Sequence, residues 1–380
     1  LMTGRYPNRF GIRTTVIPPW REDGLDENEE TLADMLARNG YSNRAIIGKW
    51  HLGHTRKVHY PINRGFSHFY GHLNGAIDYF DHMREGELDW HNDWETCYDK
   101  GYSTELITQE AVRCINTYEK EGPFLLYVAY NAPHTPLQAQ EKDIELYCDD
   151  FGSLTPKEQK RVTYQAMVSC MDRGIGTIVD ALKKKGIMDN TFLIFFSDNG
   201  PAGVPGSSSG KLRGRKFDEW DGGVRVPAVF YWKRAESNYK NLSSQVTGFV
   251  DIVPTLKELV GDKNRPERAY DGISILPLLI GSTSCIDRNF YLGCGAVVNK
   301  DYKLIRKGRK PGLNLPQDFL VDYQTDPYEK KNASNGNEQI VRSLYQVALK
   351  YDTITPCLPE IPYGKGREGF KAPVEWKVTR

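Results

Sequence analysis

Apolar and polar positions alternate along the chain in blocks that predict helices and strands in turn. Apolar residues at helical spacing predict helices over 31–39, 104–120 and 155–186. Short apolar runs predict strands at 44–47, 124–130 and 192–196, each one following a predicted helix. The last run is continuously apolar, which is typical of a strand covered on both faces of a parallel sheet. This order indicates an α/β fold.

Local signals fix the ends of the third helix. Thr155 and Glu158 have the spacing of a capping box, and Pro156 occupies the first helical position. Gly186 follows the last apolar position and predicts the C-terminal cap. By contrast, residues 55–102 show no strong periodicity and are rich in His, Tyr, Asp and Trp. We interpret that stretch as long surface loops of the kind that line binding sites, with His54, His72 and His82 as loop residues.

The pattern changes after about residue 275. Hairpin-like strands are predicted at 289–298, 302–306 and 319–323, followed by a helix whose apolar residues include Ile340 and Leu344. We therefore expect two domains, an α/β domain over 1–275 and an α+β subdomain over 276–380. The Pro-, Gly- and Lys-rich tail from 353 onward is expected to wrap the surface.

Polar residues follow all three predicted strands of the first domain. Lys49 and His51 follow the first strand, His134 follows the second, and Asp198 with Asn199 follows the third. Because ligands collect outside the carboxyl ends of strands in open sheets, we expect these side chains to meet. The Asp-Asn pair offers hard oxygen ligands suited to Ca²⁺ or Mg²⁺. The alternative to metal binding is that Asp198 and Asn199 form an ordinary turn before Gly200.

A basic cluster at 211–216 follows the Gly- and Ser-rich run at 201–210. A mobile loop that brings Lys216 beside the Asp-Asn pair suits an anionic substrate. Arg213 and Arg215 could instead simply hold the loop, and the whole cluster could be a solvated charge run.

Composition narrows the classes of function. Fifty basic and 49 acidic residues leave the chain almost neutral, which argues against a broad nucleic-acid or anionic-membrane surface. No apolar run approaches the roughly 20 residues that span a bilayer. The seven cysteines have no zinc-site spacing, and a Cys285–Cys294 bridge stays open. Two glycosylation acceptors, at Asn241 and Asn332, are compatible with secretion.

Several motifs occur along the chain in a fixed order: GKWHLG, NAPHTP, FFSDNG and LRGRKFDEWDGGVR. With the opening LMTGRYPNRFGIRT and the later DYKLI and LVDYQTDPYEKKN, they resemble the type I sulfatases of the alkaline-phosphatase-like superfamily. They are most similar to arylsulfatase B, the N-acetylgalactosamine-4-sulfatase type. The resemblance covers essentially the whole chain. It implies a mixed, mostly parallel sheet between helices, and a smaller C-terminal α+β domain carrying an antiparallel sheet.

The resemblance also implies roles for the residues at the strand ends. Asp198 and Asn199 match two ligands of the family's Ca²⁺, with Mg²⁺ a weaker expectation. Lys49 and Lys216 match the lysines that hold sulfate oxygens. His134 matches the histidine beside the leaving oxygen, a general acid. His51 matches the histidine that hydrogen-bonds the nucleophile.

One departure from the family pattern concerns the nucleophile. In the family it is a formylglycine made from the first residue of a Cys-x-Pro-Ser-Arg signature, and two further aspartates complete the metal site. The chain begins at a point that resembles the segment just after that signature, and none of its cysteines lies in such a context. We therefore expect a truncated chain, inactive as given, whose sheet lacks the family's first strand.

Three functions are compatible with these motifs. The first is a Ca²⁺-dependent sulfatase acting in its complete form on sulfated carbohydrates or aryl sulfates, in a lysosomal, extracellular or periplasmic compartment. The second is a catalytically inactive relative that binds sulfated glycans. The third, a phosphatase or phosphodiesterase of the same superfamily, is disfavoured because such enzymes build two-metal sites from several Asp and His ligands.

Overall fold

The computed structural model describes residues 1–238, 244–310 and 313–378. The α-helices are α1 Leu32–Arg38, α2 Ser103–Thr117, α3 Glu141–Ile144, α4 Pro156–Lys185, α5 Asp221–Val224, α6 Ile252–Leu259, α7 Leu276–Leu279 and α8 Glu338–Asp352. The strands are β1 Asn43–Lys49, β2 His68–His72, β3 Met83–Arg84, β4 Glu87–Leu88, β5 His91–Asn92, β6 Glu95–Thr96, β7 Phe124–Ala129, β8 Leu193–Phe196, β9 Ala228–Tyr231, β10 Phe290–Gly293, β11 Ala296–Val298, β12 Tyr302–Ile305 and β13 Phe319–Asp322.

The main sheet has five strands in the order β6-β5-β2-β1-β7. Strand β1 lies between β2 and β7 and runs parallel to both, whereas β5 pairs antiparallel with β2 and with β6. Successive side chains of a strand face opposite sides of its sheet. Ile46 accordingly packs in the core cluster that includes α1, and Ile47 packs in the cluster with α2 and α4. The predicted mixed, mostly parallel sheet between helices is confirmed.

Helix α4 begins and ends where its sequence signals predict. The Thr155 hydroxyl accepts the Glu158 amide proton, and the Glu158 carboxylate accepts the Thr155 amide proton at 2.9 Å. Gly186 closes the helix in the left-handed region with φ of 71°. A glycine adopts this conformation without the steric penalty of a side chain.

The interpretation of residues 55–102 as loops is wrong in part. Residues 68–72 form the buried strand β2, paired with β1 from Ala45–His68 to Lys49–His72. His72 is therefore a buried strand residue, and His54 and His82 are buried as well. The sequence HFYGH hides this strand because polar residues at both ends and an internal glycine mask its apolar character.

The prediction that the third strand lies covered in the parallel sheet is also wrong. Strand β8 pairs antiparallel with β9 in a separate two-stranded sheet, and its residues are half-buried. Strand β7 is the edge of the five-stranded sheet, and it too is half-buried along its length. A cleft lies between the two sheets.

The C-terminal part of the chain forms the predicted antiparallel sheet, β10-β11-β12-β13, against helix α8. Tyr6 and Val250 from the preceding part also pack in this core. The tail returns to the hairpin formed by β3 and β4, where the buried Trp376 donates from its indole nitrogen to the Arg84 carbonyl at 2.9 Å. No helix within the described residues is both long and apolar enough to cross a bilayer.

All seven cysteines are free, so Cys285 and Cys294 do not form a bridge in this structure. The Asn241 acceptor lies outside the described residues. The side-chain amide of Asn332 donates to the Asp318 carbonyl at 2.9 Å and accepts from the Leu320 amide at 2.9 Å, so this acceptor also ties its loop to β13.

Candidate active site

The carboxyl ends of β1, β7 and β8 border one cleft with a volume of about 2360 Å³. The structure brings together in this cleft all the residues that the sequence predicts as a site: Lys49, His51, His134, Asp198, Asn199 and Lys216. They come from chain segments more than 160 positions apart. The convergence predicted from the strand ends therefore occurs, although β8 belongs to a different sheet.

Close backbone packing positions the end of β1. Gly48 has φ of 103°, and a side chain there would place its Cβ 2.1 Å from the Ala129 carbonyl oxygen of β7. Beyond Lys49 the backbone stays attached to the neighbouring segment, because the amide of His51 donates to the Leu73 carbonyl at 3.0 Å. His51 adopts φ of 57°, a left-handed conformation that is uncommon for a residue with a side chain.

Lys49 is half-buried in the cleft, and none of the described residues forms an ion pair or hydrogen bond with its ammonium group. Its pKa is lowered to about 8, chiefly by burial; the charge of Asp198 opposes this shift, and the charges of Lys216 and Arg84 add to it. A buried ammonium group without a close counter-charge is costly. An anion bound between the two lysines would remove that cost.

The two histidines of the cleft are each fixed by one ring nitrogen. His51 Nε2 donates to the Ile17 carbonyl at 3.1 Å, and His134 Nδ1 donates to the Thr135 carbonyl at 2.7 Å. Burial, together with the nearby Lys49, lowers the pKa of both rings. In the neutral form, His51 Nδ1 and His134 Nε2 are therefore the ring nitrogens that can accept a proton.

Asp198 is exposed to the cleft, and Asn199 is half-buried beside it. None of the described residues donates a hydrogen bond to the Asp198 carboxylate or to the amide oxygen of Asn199. The Asn199 amide nitrogen is oriented by donation to the Gly200 carbonyl at 3.0 Å. These free oxygens are the ligand type that Ca²⁺ prefers, but two ligands fall short of the 6 to 8 that it takes.

Lys216 reaches the cleft from the loop between β8 and α5. Its backbone amide donates to the Pro201 carbonyl at 2.9 Å, which anchors this part of the loop. Arg213 stacks its guanidinium 3.6 Å from the centre of the Trp220 ring and donates to the Glu329 carbonyl at 2.6 Å. Arg213 thus holds the loop against the C-terminal sheet, whereas Arg215 is exposed.

Arg84 is a residue of the cleft that the sequence did not reveal. It lies on the β3–β4 hairpin, lines the cleft and is close enough for its charge to lower the pKa of Lys49. Its backbone carbonyl accepts the Trp376 indole proton, so the tail fixes this hairpin. Nothing in the local sequence MREGEL distinguishes it from an ordinary charged turn.

Comparisons with known proteins agree with this geometry. The family described as "Sulfatase" matches residues 1–262. Mouse arylsulfatase J is 34% identical over 284 residues, covering 72% of this chain and 46% of that protein. Mouse N-acetylgalactosamine-6-sulfatase is 31% identical over 304 residues, which cover 74% of this chain and 56% of that protein. The chain thus spans about half the length of these curated relatives.

Among solved structures, the crystal structure of Ps i-CgsB in complex with k-i-k-neocarrahexaose superposes with a TM-score of 0.82. It is 28% identical and covers 95% of this chain and 82% of that one.

Proposed function

The chain belongs to the sulfatase family, and on that premise we propose that the protein containing it hydrolyses sulfate esters. The observation that carries this proposal is the pair Lys49 and Lys216, which share one cleft with no ion-pair partner among the described residues. A sulfate group supplies the negative charge that the pair lacks. Each lysine about 4 Å from the sulfate would contribute roughly 4 kcal/mol at an effective dielectric constant near 20.

His134 is assigned the proton transfer to the leaving alcohol. Its Nδ1 is occupied by the Thr135 carbonyl, so Nε2 is the nitrogen that carries the transferable proton. A bound anion favours the protonated ring, because an opposite charge nearby raises the pKa of a histidine. Binding of the substrate would thus favour the protonated form of His134, which is the form that acts as a general acid.

Asp198 and Asn199 are assigned to a cation, Ca²⁺ in preference to Mg²⁺. Such a cation would neutralise charge on the bound sulfate. We assign only these two residues to the ion, so their role in our proposal is cation binding and no step of the reaction passes through the ion.

Cleavage also requires a nucleophile, and the 380 residues contain no Cys-x-Pro-Ser-Arg signature from which a formylglycine could be made. His51 presents Nδ1 as an acceptor and is assigned to the hydrogen bond with that nucleophile. We infer that these residues supply sulfate recognition and acid catalysis. The alternative function is binding of sulfated glycans without hydrolysis.

We propose sulfated sugars as the substrate class, and the alternative class is small aryl sulfates. One relative is named for action on an N-acetylgalactosamine 6-sulfate, and another was crystallised with k-i-k-neocarrahexaose. A substrate of this kind fits a protein of the secretory pathway, in a lysosomal or extracellular location, or a periplasmic one in a bacterium.

The test compares the 380-residue chain with the protein of natural length. Hydrolysis of 4-nitrophenyl sulfate is measured on both, and binding of a sulfated disaccharide is measured by calorimetry. We expect both to bind and the natural protein to hydrolyse. Binding without turnover by the natural protein would favour the alternative function, and absence of binding by both would contradict sulfate recognition.

A further inference from the structure

A second group of reactive side chains lies at the other end of strand β2. We call it the amino-end cluster, and it consists of His68, Asp93, Glu110, Arg113 and Cys114. His68 begins β2, whereas His72 ends it beside Lys49. At about 3.3 Å per residue, the cluster lies about 13 Å from the cleft along the strand. It takes no part in the proposed hydrolysis.

Three atoms of the cluster have the separation of metal ligands. One ring nitrogen of His68, one carboxylate oxygen of Glu110 and the Cys114 sulfur all lie within 4.8 Å of one another. His68 Nε2 is 2.6 Å from Glu110 Oε1, and Cys114 Sγ is 3.8 Å from the same oxygen. Glu110 and Cys114 are one turn apart on α2, so the helix presents both on the same face.

The remaining ring nitrogen of His68 is already oriented. Nδ1 is 2.9 Å from Asp93 Oδ1, and this oxygen also accepts the backbone amide of Phe69 at 2.9 Å. Histidines that bind metals almost always donate their other ring proton to such a carboxylate or carbonyl group. Asp93 therefore directs Nε2 of His68 toward Glu110 and Cys114.

A positive charge already occupies the space between the three ligands. One guanidinium nitrogen of Arg113 is 2.5 Å from Glu110 Oε1, 3.5 Å from His68 Nε2 and 3.9 Å from Cys114 Sγ. The Arg113 side chain is 54% exposed, so it can move into solvent without breaking any core packing. Its position marks where a cation is favourable.

We propose that His68, Glu110 and Cys114 form a zinc site, oriented by Asp93, in which the Arg113 guanidinium stands in when zinc is absent. Thiolate, imidazole and carboxylate are the ligand types that Zn²⁺ accepts, with water able to complete a tetrahedron. Binding releases the thiol proton and any proton on His68 Nε2 to solvent. The ion would join β2 and the β5–β6 turn to helix α2.

The first experiment uses protein treated with a chelator and then titrated with Co²⁺ as a spectroscopic substitute for zinc, and with Zn²⁺ by calorimetry. We expect one ion per chain, a thiolate-to-cobalt charge-transfer band, and a higher melting temperature with zinc. Cys114→Ser should remove the band. Cys170→Ser, at a buried thiol in a different core cluster, is the matched control and should retain it.

Two further variants test the geometry without removing a ligand. Asp93→Asn should weaken zinc binding about 10- to 100-fold, because it loosens the orienting carboxylate. Arg113→Ala should bind zinc at least as tightly as the unchanged protein, because it removes the competing cation. The proposal is overturned if the unchanged protein binds no stoichiometric ion, if the band persists in Cys114→Ser, or if Arg113→Ala binds more weakly.

Discussion

His68 and His72 stand four residues apart on strand β2, yet their surroundings are opposite. His72 is buried at the cleft end, donates from Nδ1 to the Asn74 carbonyl at 2.8 Å, and has no partner for Nε2 among the described residues. Burial lowers its pKa to about 4. Burial also disfavours the charged form of His68, but hydrogen bonds to Cys114 and Glu110 and the charge of Asp93 outweigh it and raise the pKa to about 10.

The difference extends to the residues around each histidine. At the cleft end, Lys49 and Lys216 lack ion-pair partners within the described chain and stay available to a ligand, at a cost to stability. At the amino end, two carboxylates, a thiol, an imidazole and a guanidinium satisfy one another. Charges without partners are thus the feature of the proposed substrate site. In the amino-end cluster the charges satisfy one another, and a metal ion would take the place of the Arg113 guanidinium. Sites built for function commonly carry such a stability cost.

Removal of a lysine from the cleft should have the largest effect. Lys49→Met should reduce hydrolysis of an aryl sulfate by the natural-length protein about 10²- to 10³-fold, because a preorganised charge on the sulfate is lost. Its melting temperature should stay the same or rise, since an uncompensated charge is also lost. Lys211→Met, in the exposed part of the basic loop, is the control and should change neither quantity. A large loss of stability in Lys49→Met would contradict the inference that the Lys49 charge lacks a partner and lowers the stability of the fold.

The pH dependence of stability tests the cleft end of β2. His72 binds a proton near pH 6.5 when the chain is unfolded and near pH 4 when it is folded. Between these values the unfolded state holds more protons, so stability falls as the pH falls. The loss from His72 approaches about 3 kcal/mol by pH 4.

Urea unfolding of the unchanged protein and of His72→Gln, measured at several pH values from 7 to 4, checks this expectation. The variant should show a shallower loss of stability on acidification. His51 and His54, whose pKa values burial also lowers, should leave part of the slope in place. Equal slopes in the two proteins would show that His72 is not held neutral by the fold.

The amino-end cluster should respond to a mutation in the opposite way from the cleft. Glu110→Gln should lower the free energy of unfolding by about 1–3 kcal/mol, because His68 and Arg113 lose a charged acceptor. Sulfate-ester binding should be unchanged. The measurement is urea unfolding with a chelator present, which keeps the effect of a metal ion apart. Glu141→Gln, at an exposed position, serves as the control.

Much of the fold follows from local sequence. The capping box at Thr155 and the glycine at 186 set the ends of α4, and the apolar run of β1 gives a buried strand of the main sheet. The strand-end rule also anticipated that Lys49, His134 and Asp198 meet. This rule succeeds because the carboxyl ends of the strands open on one cleft, whichever sheet each strand joins.

Other features have no local signal. The sequence predicts a strand at β8 but not its antiparallel partner, because pairing depends on which edge is free nearby. The sequence pattern did not predict strand β2, because this strand is buried by β1 and by the helices and its own composition is not strongly apolar. Arg84 lies at the cleft on a hairpin whose backbone the distant Trp376 contacts, and the local sequence gives no sign of that contact.

Local sequence is enough to predict the alternation of helices and strands and the side chains placed at the strand ends, since periodicity, caps and turns act over a few residues. Which polar side chains stay unpaired and which satisfy one another depends on how distant segments pack together. His68 and His72 are the same residue type on the same strand. Their charges differ because burial and partners are set by segments distant in the chain, among them Asp93, Glu110 and Asn74.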